Sequence, residues 1–212
     1  MEAEFWHQRW EQNKIAFHKS EAHPLLVKSF KKLVRSKGDR IFLPLCGKTL
    51  DIHWLLANGC RVAGAELSQI AIEQLFDELK LVPTVSEVGR LKHYSADAID
   101  IFVGDIFNLS REILGSIDGI YDRAAIVALP RTVRDRYTMH LKQITHTAPQ
   151  LIISFEYDQT LMDGPPFSVS QAEIKQHYGS DYDLTLIEST DMPGGLKGKV
   201  KATENVWFLQ NI

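Results

Sequence analysis

Cysteine is scarce in this chain of 212 residues, with only Cys46 and Cys60 present. Two thiols make neither a disulfide framework nor a zinc site, so both read as small buried side chains in a reducing compartment. No apolar run is long enough to span a bilayer. The opening Met1-Glu-Ala-Glu-Phe-Trp6 is acidic and lacks the apolar core of a signal peptide, which points to a cytoplasmic protein. Strong charge is missing too. A formal net charge of −3 exerts no general pull on phosphate backbones, which argues against nucleic acid as a partner. The lysine-rich stretch 27–37 reads as the solvated face of a helix. The histidines do not cluster at ligand spacing, and His140 and His146 have no carboxylate companion on their predicted helix, so no metal is expected. The serines and histidines have no nucleophile-elbow context.

The glycine fingerprints are also missing. Gly47-Lys48-Thr49 ends like a phosphate-binding loop, but Phe42, inside an apolar strand, stands where that loop needs its first glycine. The G-x-G-x-x-G pattern of dinucleotide binders is absent, and Gly47 alone provides poorly for a pyrophosphate.

What remains is ordinary in bulk, 44% hydrophobic and 24% charged, and ordered in detail. Phe5, Trp6 and Trp10 recur at helical spacing over 4–13. Pro24 opens a second helix, whose apolar stripe of Leu26, Phe30, Leu33 and Val34 runs until Gly38. Strands are predicted over 41–45, 61–66, 99–103, 117–121 and 151–155, with helices over 50–58, 68–79, 130–146 and from 170. The stretch 83–96 reads as a loop or a small hairpin, and 184–187 and 206–209 read as closing strands. Such alternation implies a parallel sheet covered on both faces, which binds ligands beyond the carboxyl ends of its strands.

Those ends carry the informative residues. Leu45-Cys46-Gly47 forms a tight turn, and Glu66 follows about 20 residues on, as expected for a carboxylate that accepts ribose hydroxyls. A nucleoside with a compact zwitterionic tail suits this turn better than a pyrophosphate, and S-adenosylmethionine has that shape. Asp105 either meets an adenine amino group or caps the turn after it, with the Ile106 backbone beside it. Arg123 follows Asp122 at the mouth of the sheet and either forms a surface ion pair or orients an anionic ligand group, the role its position favours. Trp6, Trp10 and Phe17 serve as core anchors, as a lid, or as both; aromatic faces stabilise a cation such as a sulfonium by about 0.5–2 kcal/mol.

The chain resembles the thiopurine S-methyltransferase family over nearly its full length. The resemblance is carried by Phe5-Trp-His-Gln-Arg-Trp10, Ala16-Phe-His18, Leu43-Pro-Leu-Cys-Gly-Lys48, Val62-Ala-Gly-Ala-Glu-Leu-Ser68, Asp122-Arg-Ala-Ala-Ile-Val-Ala128 and Gly164-Pro-Pro-Phe167. It implies an α/β, three-layer Rossmann-like methyltransferase fold with a seven-stranded, mostly parallel sheet whose last strand is antiparallel. It also implies a single domain over 1–212, with an N-terminal helical lid (1–38) over a core (39–212). Trp10, Leu45, Glu66 and Arg123 are then expected to contact S-adenosylmethionine, with Trp6, Phe17, Gly47 and Ile106 in or beside the same site. Asp158, Pro165, Pro166 and Phe167 are expected to border the acceptor. The implied reaction is in-line methyl transfer to a thiopurine or another small thiol, selenium or tellurium acceptor, by a monomer that needs no dedicated base. The competing expectation is a binding or sensor protein that keeps the fold without turnover. One departure stands out: Leu196-Lys-Gly-Lys-Val200 replaces an arginine that some members carry in this late loop, within 193–201, and lysine lacks arginine's planar fork.

Overall fold

The computed structural model describes residues 3–15 and 19–212, so the expectation for Phe17 lies outside the described residues. In chain order the elements are α1 (Ala3–Glu11), α2 (Pro24–Leu33), β1 (Arg40–Pro44), α3 (Leu50–Ala57), β2 (Arg61–Glu66), α4 (Gln69–Leu79), β3 (Thr84–Val88) and β4 (Leu91–Ala96). There follow β5 (Ile99–Val103), α5 (Arg111–Leu114), β6 (Gly119–Arg123), α6 (Arg131–Thr145), β7 (Gln150–Tyr157), α7 (Gln171–Tyr178), β8 (Tyr182–Asp191) and β9 (Ala202–Asn211).

The strands form one sheet in the order β3-β4-β5-β2-β1-β6-β7-β9-β8, so it has nine strands and not the expected seven. The two additional strands are the 84–96 hairpin, which pairs antiparallel onto β5. β3 is exposed along most of its length, so it shows none of the alternation that marks a half-buried strand. Between the hairpin and the closing pair, β5, β2, β1, β6 and β7 run parallel. β9 is antiparallel to both β7 and β8 and lies between them.

Two apolar layers cover the sheet, one on each face. Leu26 and Leu33 of α2, Ile52 and Leu55 of α3, and Ile72, Leu75 and Phe76 of α4 pack with Ile41, Leu43, Val62 and Ile101. Leu114, Tyr137, Leu141, Ile174 and Tyr178 from α5, α6 and α7 pack on the other face with Phe42, Ala63, Phe102 and Trp207. Among the described residues no helix is long and apolar enough to cross a membrane.

Helix boundaries follow local hydrogen bonding. Ser68 caps α4 by accepting from the Ala71 amide at 3.3 Å. α2 stops at Leu33, several residues before Gly38, because the Asp39 carboxylate accepts from the Arg35 and Ser36 amides at 2.8 and 3.0 Å. That side-chain turn competes with further helix. β6 extends two residues beyond its predicted end and carries Asp122 and Arg123 within the strand.

Candidate active site

Five parallel strands end at one edge of the sheet, and the loops leaving them gather most of the residues singled out from the sequence. β1 ends at Pro44, and the chain turns through Leu45 (φ +48°) and Gly47 (φ +53°), both left-handed. The turn is fastened to β2, where the Cys46 amide donates to the Ala65 carbonyl at 3.0 Å. The Gly47 amide donates to Glu66 Oε2 at 2.7 Å, and the Ser68 amide donates to Oε1 at 2.8 Å. Glu66 is buried, and burial raises its pKa against the lowering effect of these amides, the Leu67 amide and the nearby His7. A carboxylate offers about four acceptor directions, so the two bonds leave Glu66 capacity for ligand hydroxyls. Burial first, and then the charge of Glu66, holds the Cys46 thiol well above its usual pKa, which keeps it a neutral packing group.

Trp10 of α1 is buried directly over the turn. A Cβ on Gly47 would lie 3.0 Å from Trp10 Cζ2, so the close approach this glycine permits is to an indole. Gly47→Ala is accordingly expected to cost about 1–3 kcal/mol of stability, from left-handed strain and displacement of Trp10. Urea denaturation measures the loss, and a red shift in tryptophan emission would report the displaced indole.

Arg123 and Asp122 point to opposite faces of β6 and do not pair with each other. Arg123 Nη1 lies 3.4 Å from Thr49 Oγ1 and 3.9 Å from Asp51 Oδ2, which ties the end of β6 to the start of α3. Asp51, itself buried, accepts from the His23 amide at 2.6 Å and from the Tyr121 hydroxyl at 3.2 Å. Asp122 is buried on the other face, where it accepts from the Ile126 amide at 3.0 Å and the Tyr137 hydroxyl at 2.7 Å. Desolvation pushes its pKa up to about 6 from an ordinary 3.8 despite those donors.

A folded pKa above the unfolded one favours the fold at low pH, and that contribution fades as pH rises through about 6. The stability of the wild type relative to Asp122→Asn is therefore expected to fall by about 2 kcal/mol between pH 4 and pH 7. Paired urea denaturations across that range read the difference directly.

Beyond β5, Asp105 caps the turn at 106–108, its Oδ1 accepting from the Phe107 amide at 3.0 Å, so the capping alternative describes this side chain. Ile106 is buried behind it. Trp6 sits half-buried on α1 with its ring edge-on to Phe5 at 5.2 Å.

The predicted acceptor-side residues follow β7. Asp158 is exposed and uses Oδ1 on its own turn, accepting from the Thr160 amide at 3.0 Å and its hydroxyl at 2.7 Å. The next loop is pinned at several points. Tyr157 donates to the Pro166 carbonyl at 2.6 Å, Lys197 to the Pro165 carbonyl at 2.7 Å, and the Phe167 amide to the Val127 carbonyl at 2.6 Å. Gly164 is required there: at φ +80° its Cβ would lie 2.6 Å from the Phe167 ring. Arg134, buried in α6, donates to the Ser168 carbonyl and has its guanidinium 5.9 Å from the Phe167 ring centroid. The late loop thus meets the acceptor-side loop through Lys197.

A cavity of about 480 Å3 opens between α1, the start of α4 and the β3–β4 hairpin. It is lined by His7, Leu67, Ser68, Arg90, Lys92 and Val103 among others, and so borders Glu66 through the two residues that follow it. Among the described residues, none of those predicted to contact the cofactor or acceptor lines it. His7, Asp51, Tyr157 and Arg134 had not been singled out from the sequence, because their roles depend on partners nine or more residues away.

With this geometry in place, comparison with known proteins is decisive. The sequence profile of the thiopurine S-methyltransferase family matches residues 1–211. The chain belongs to the thiopurine S-methyltransferase family. Within that family it is 53% identical over 211 residues to a thiopurine S-methyltransferase of Xanthobacter autotrophicus, covering 99% of each chain. It is 48% identical to one of Teredinibacter turnerae, covering 99% of this chain and 97% of the relative. Distant solved structures share the fold. A didemethyltoxoflavin N1-methyltransferase of Burkholderia thailandensis, solved with S-adenosylhomocysteine, superposes with a TM-score of 0.67 at 13% identity, over 99% of this chain and 87% of that one. A methyltransferase of Anabaena variabilis gives 0.63 at 14% identity, over 98% and 95%.

Proposed function

We propose that this family member transfers a methyl group from S-adenosylmethionine to the sulfur of a thiopurine or another small thiol, selenium or tellurium acceptor. The observation that carries the reading is the Glu66 site. A buried carboxylate at the end of β2 is held by the Gly47 and Ser68 amides, under an indole that only glycine at position 47 admits. These residues fit a nucleoside with an amino-acid tail, and the bound cofactor supplies an activated methyl group on a sulfonium. Glu66 accepts from the ribose hydroxyls, and the turn at Leu45 and Gly47 faces the amino-acid tail. Trp10 and Trp6 exclude water, with Trp10 closing the turn from above. The Ile106 turn walls the adenine side.

Arg123 orients the electron-rich acceptor atom, its own direction fixed by Thr49 and Asp51. The 164–167 loop and Asp158 border the acceptor, and holding sulfur and methyl in line supplies most of the rate. An aromatic thiol ionises readily, so no residue is assigned as base. Residues 1–212 act as one unit, 1–38 covering 39–212, and work as a cytoplasmic monomer.

The test is incubation of the purified protein with methyl-labelled S-adenosylmethionine and a panel of thiopurines, aromatic thiols, selenite and tellurite. Labelled product with at least one sulfur acceptor is expected. Tight cofactor binding with no transfer to any acceptor would replace the enzyme reading with that of a sensor.

A further inference from the structure

The turn that leaves β5 is tied to β2 where it begins, by the Gly104 amide donating to the Glu66 carbonyl at 2.8 Å, and is held from behind by α6. His140 Nε2 lies 2.8 Å from the Ile106 carbonyl, and the His140 ring meets Phe107 edge-on at 5.4 Å. One helical turn earlier, the Arg136 guanidinium lies 3.8 Å over the same phenyl ring. The bonds within residues 105–109 are local: the Phe107 amide donates to Asp105 Oδ1, the Asn108 amide to the Asp105 carbonyl and the Leu109 amide to the Ile106 carbonyl. Core burial of the Ile106 side chain and the bond from the Gly104 amide to the Glu66 carbonyl place the turn as a whole, and His140 supplies the long-range polar contact to the Ile106 backbone.

We infer that His140 is a positioning residue for cofactor binding, fixing the 105–108 turn through its bond to the Ile106 carbonyl. This rests on the reading that Ile106 walls the adenine side of the site. Burial, the largest influence, lowers the His140 pKa, so the ring is neutral near pH 7 with a proton on one nitrogen. Placing that proton on Nε2 makes it the donor to Ile106, and a carbonyl facing it requires that tautomer. Loss of the donor frees the turn to shift, which raises the cost of ordering it around a nucleoside. The reacting atoms gather beside Arg123 and the 164–167 loop, away from this turn, so the effect falls on affinity rather than on the chemical step.

Calorimetric titration with S-adenosylhomocysteine tests the inference on the wild type, His140→Leu and His140→Gln, alongside kcat at saturating cofactor. His140→Leu is expected to weaken binding about three- to ten-fold, the usual worth of one such hydrogen bond, with kcat within about two-fold of wild type. His140→Gln keeps a donor near Nε2 and is expected to bind like wild type. Unchanged affinity in His140→Leu overturns the inference, as does a glutamine variant as weak as the leucine one, which would assign the residue to packing alone. If His140→Leu does not accumulate, His140→Asn, whose amide stops short of Ile106, takes its place with the same expected loss. A wild type that binds no S-adenosylhomocysteine would remove the cofactor reading itself. A Glu66→Gln variant with normal affinity beside a weakened His140→Leu would support this inference and remove only the ribose assignment.

Discussion

Replacing Glu66 with glutamine is expected to weaken S-adenosylhomocysteine binding by about one to two orders of magnitude. The carboxylate presently accepts one amide on each oxygen, from Gly47 and from Ser68. A glutamine has one acceptor oxygen, so one of those amides would face an NH2 group, and the remaining acceptor capacity for ribose hydroxyls would be halved. A hydrogen bond to a charged acceptor is worth about 1.5–3 kcal/mol, and each 1.4 kcal/mol is about ten-fold in affinity. Stability should change less than affinity, because the neutral amide also relieves the desolvation that raises the carboxyl pKa. Titration calorimetry on the variant, with urea denaturation alongside, separates the two effects. Wild-type affinity in Glu66→Gln would take the ribose contact away from this residue.

The largest stability loss is expected at Arg134→Leu. Arg134 Nη1 lies 2.7 Å from Glu173 Oε1, with side-chain exposures of 2% and 8%. The same guanidinium donates to the Leu129 and Ser168 carbonyls at 2.9 and 3.0 Å. Removing one partner of a buried pair leaves the other charge without compensation and typically costs about 3–5 kcal/mol. His177 Nε2 lies 3.3 Å from the same Glu173 oxygen and remains as its neighbour in the variant. The double variant Arg134→Leu/Glu173→Leu should therefore be markedly more stable than the single one. If the two unfold at the same urea concentration, packing rather than the stranded charge causes the loss. Because Ser168 and Phe167 lose one of their anchors in both, KM for the acceptor should rise in the double variant even where stability recovers.

The turn, the acid and the strand ends were legible because each is a local pattern. An apolar strand ending in Leu45-Cys-Gly47 and an acid closing the next strand need no distant partner to be recognised. Phe42 in place of a phosphate-loop glycine was enough to set aside a triphosphate. What escaped the sequence depends on distant contacts. The hairpin shows no alternation because β3 is exposed on both sides, yet it pairs onto β5 and widens the sheet. The partners of Asp122 and Arg123 were equally out of reach, because neighbours in a strand point to opposite faces, one here to Tyr137 and the other to Asp51. Gly47 was read as room for a ligand tail, and only the fold shows that its missing Cβ makes room for Trp10.

The position of β9 bears on how the chain is made. Among the described residues β8 pairs only with β9, and β9 in turn closes the open edge of β7. As the chain leaves the ribosome, β7 and β8 emerge before the strand that lies between them in the finished sheet. Until Ala202–Asn211 arrives, an apolar edge through Leu151 and Ile153 is presented to solvent, with the pocket for Trp207 unfilled. Such edges are where nascent chains self-associate. A holdase acting during synthesis would therefore find its substrate in this half of the sheet, with the insertion of one late strand as the step that releases it.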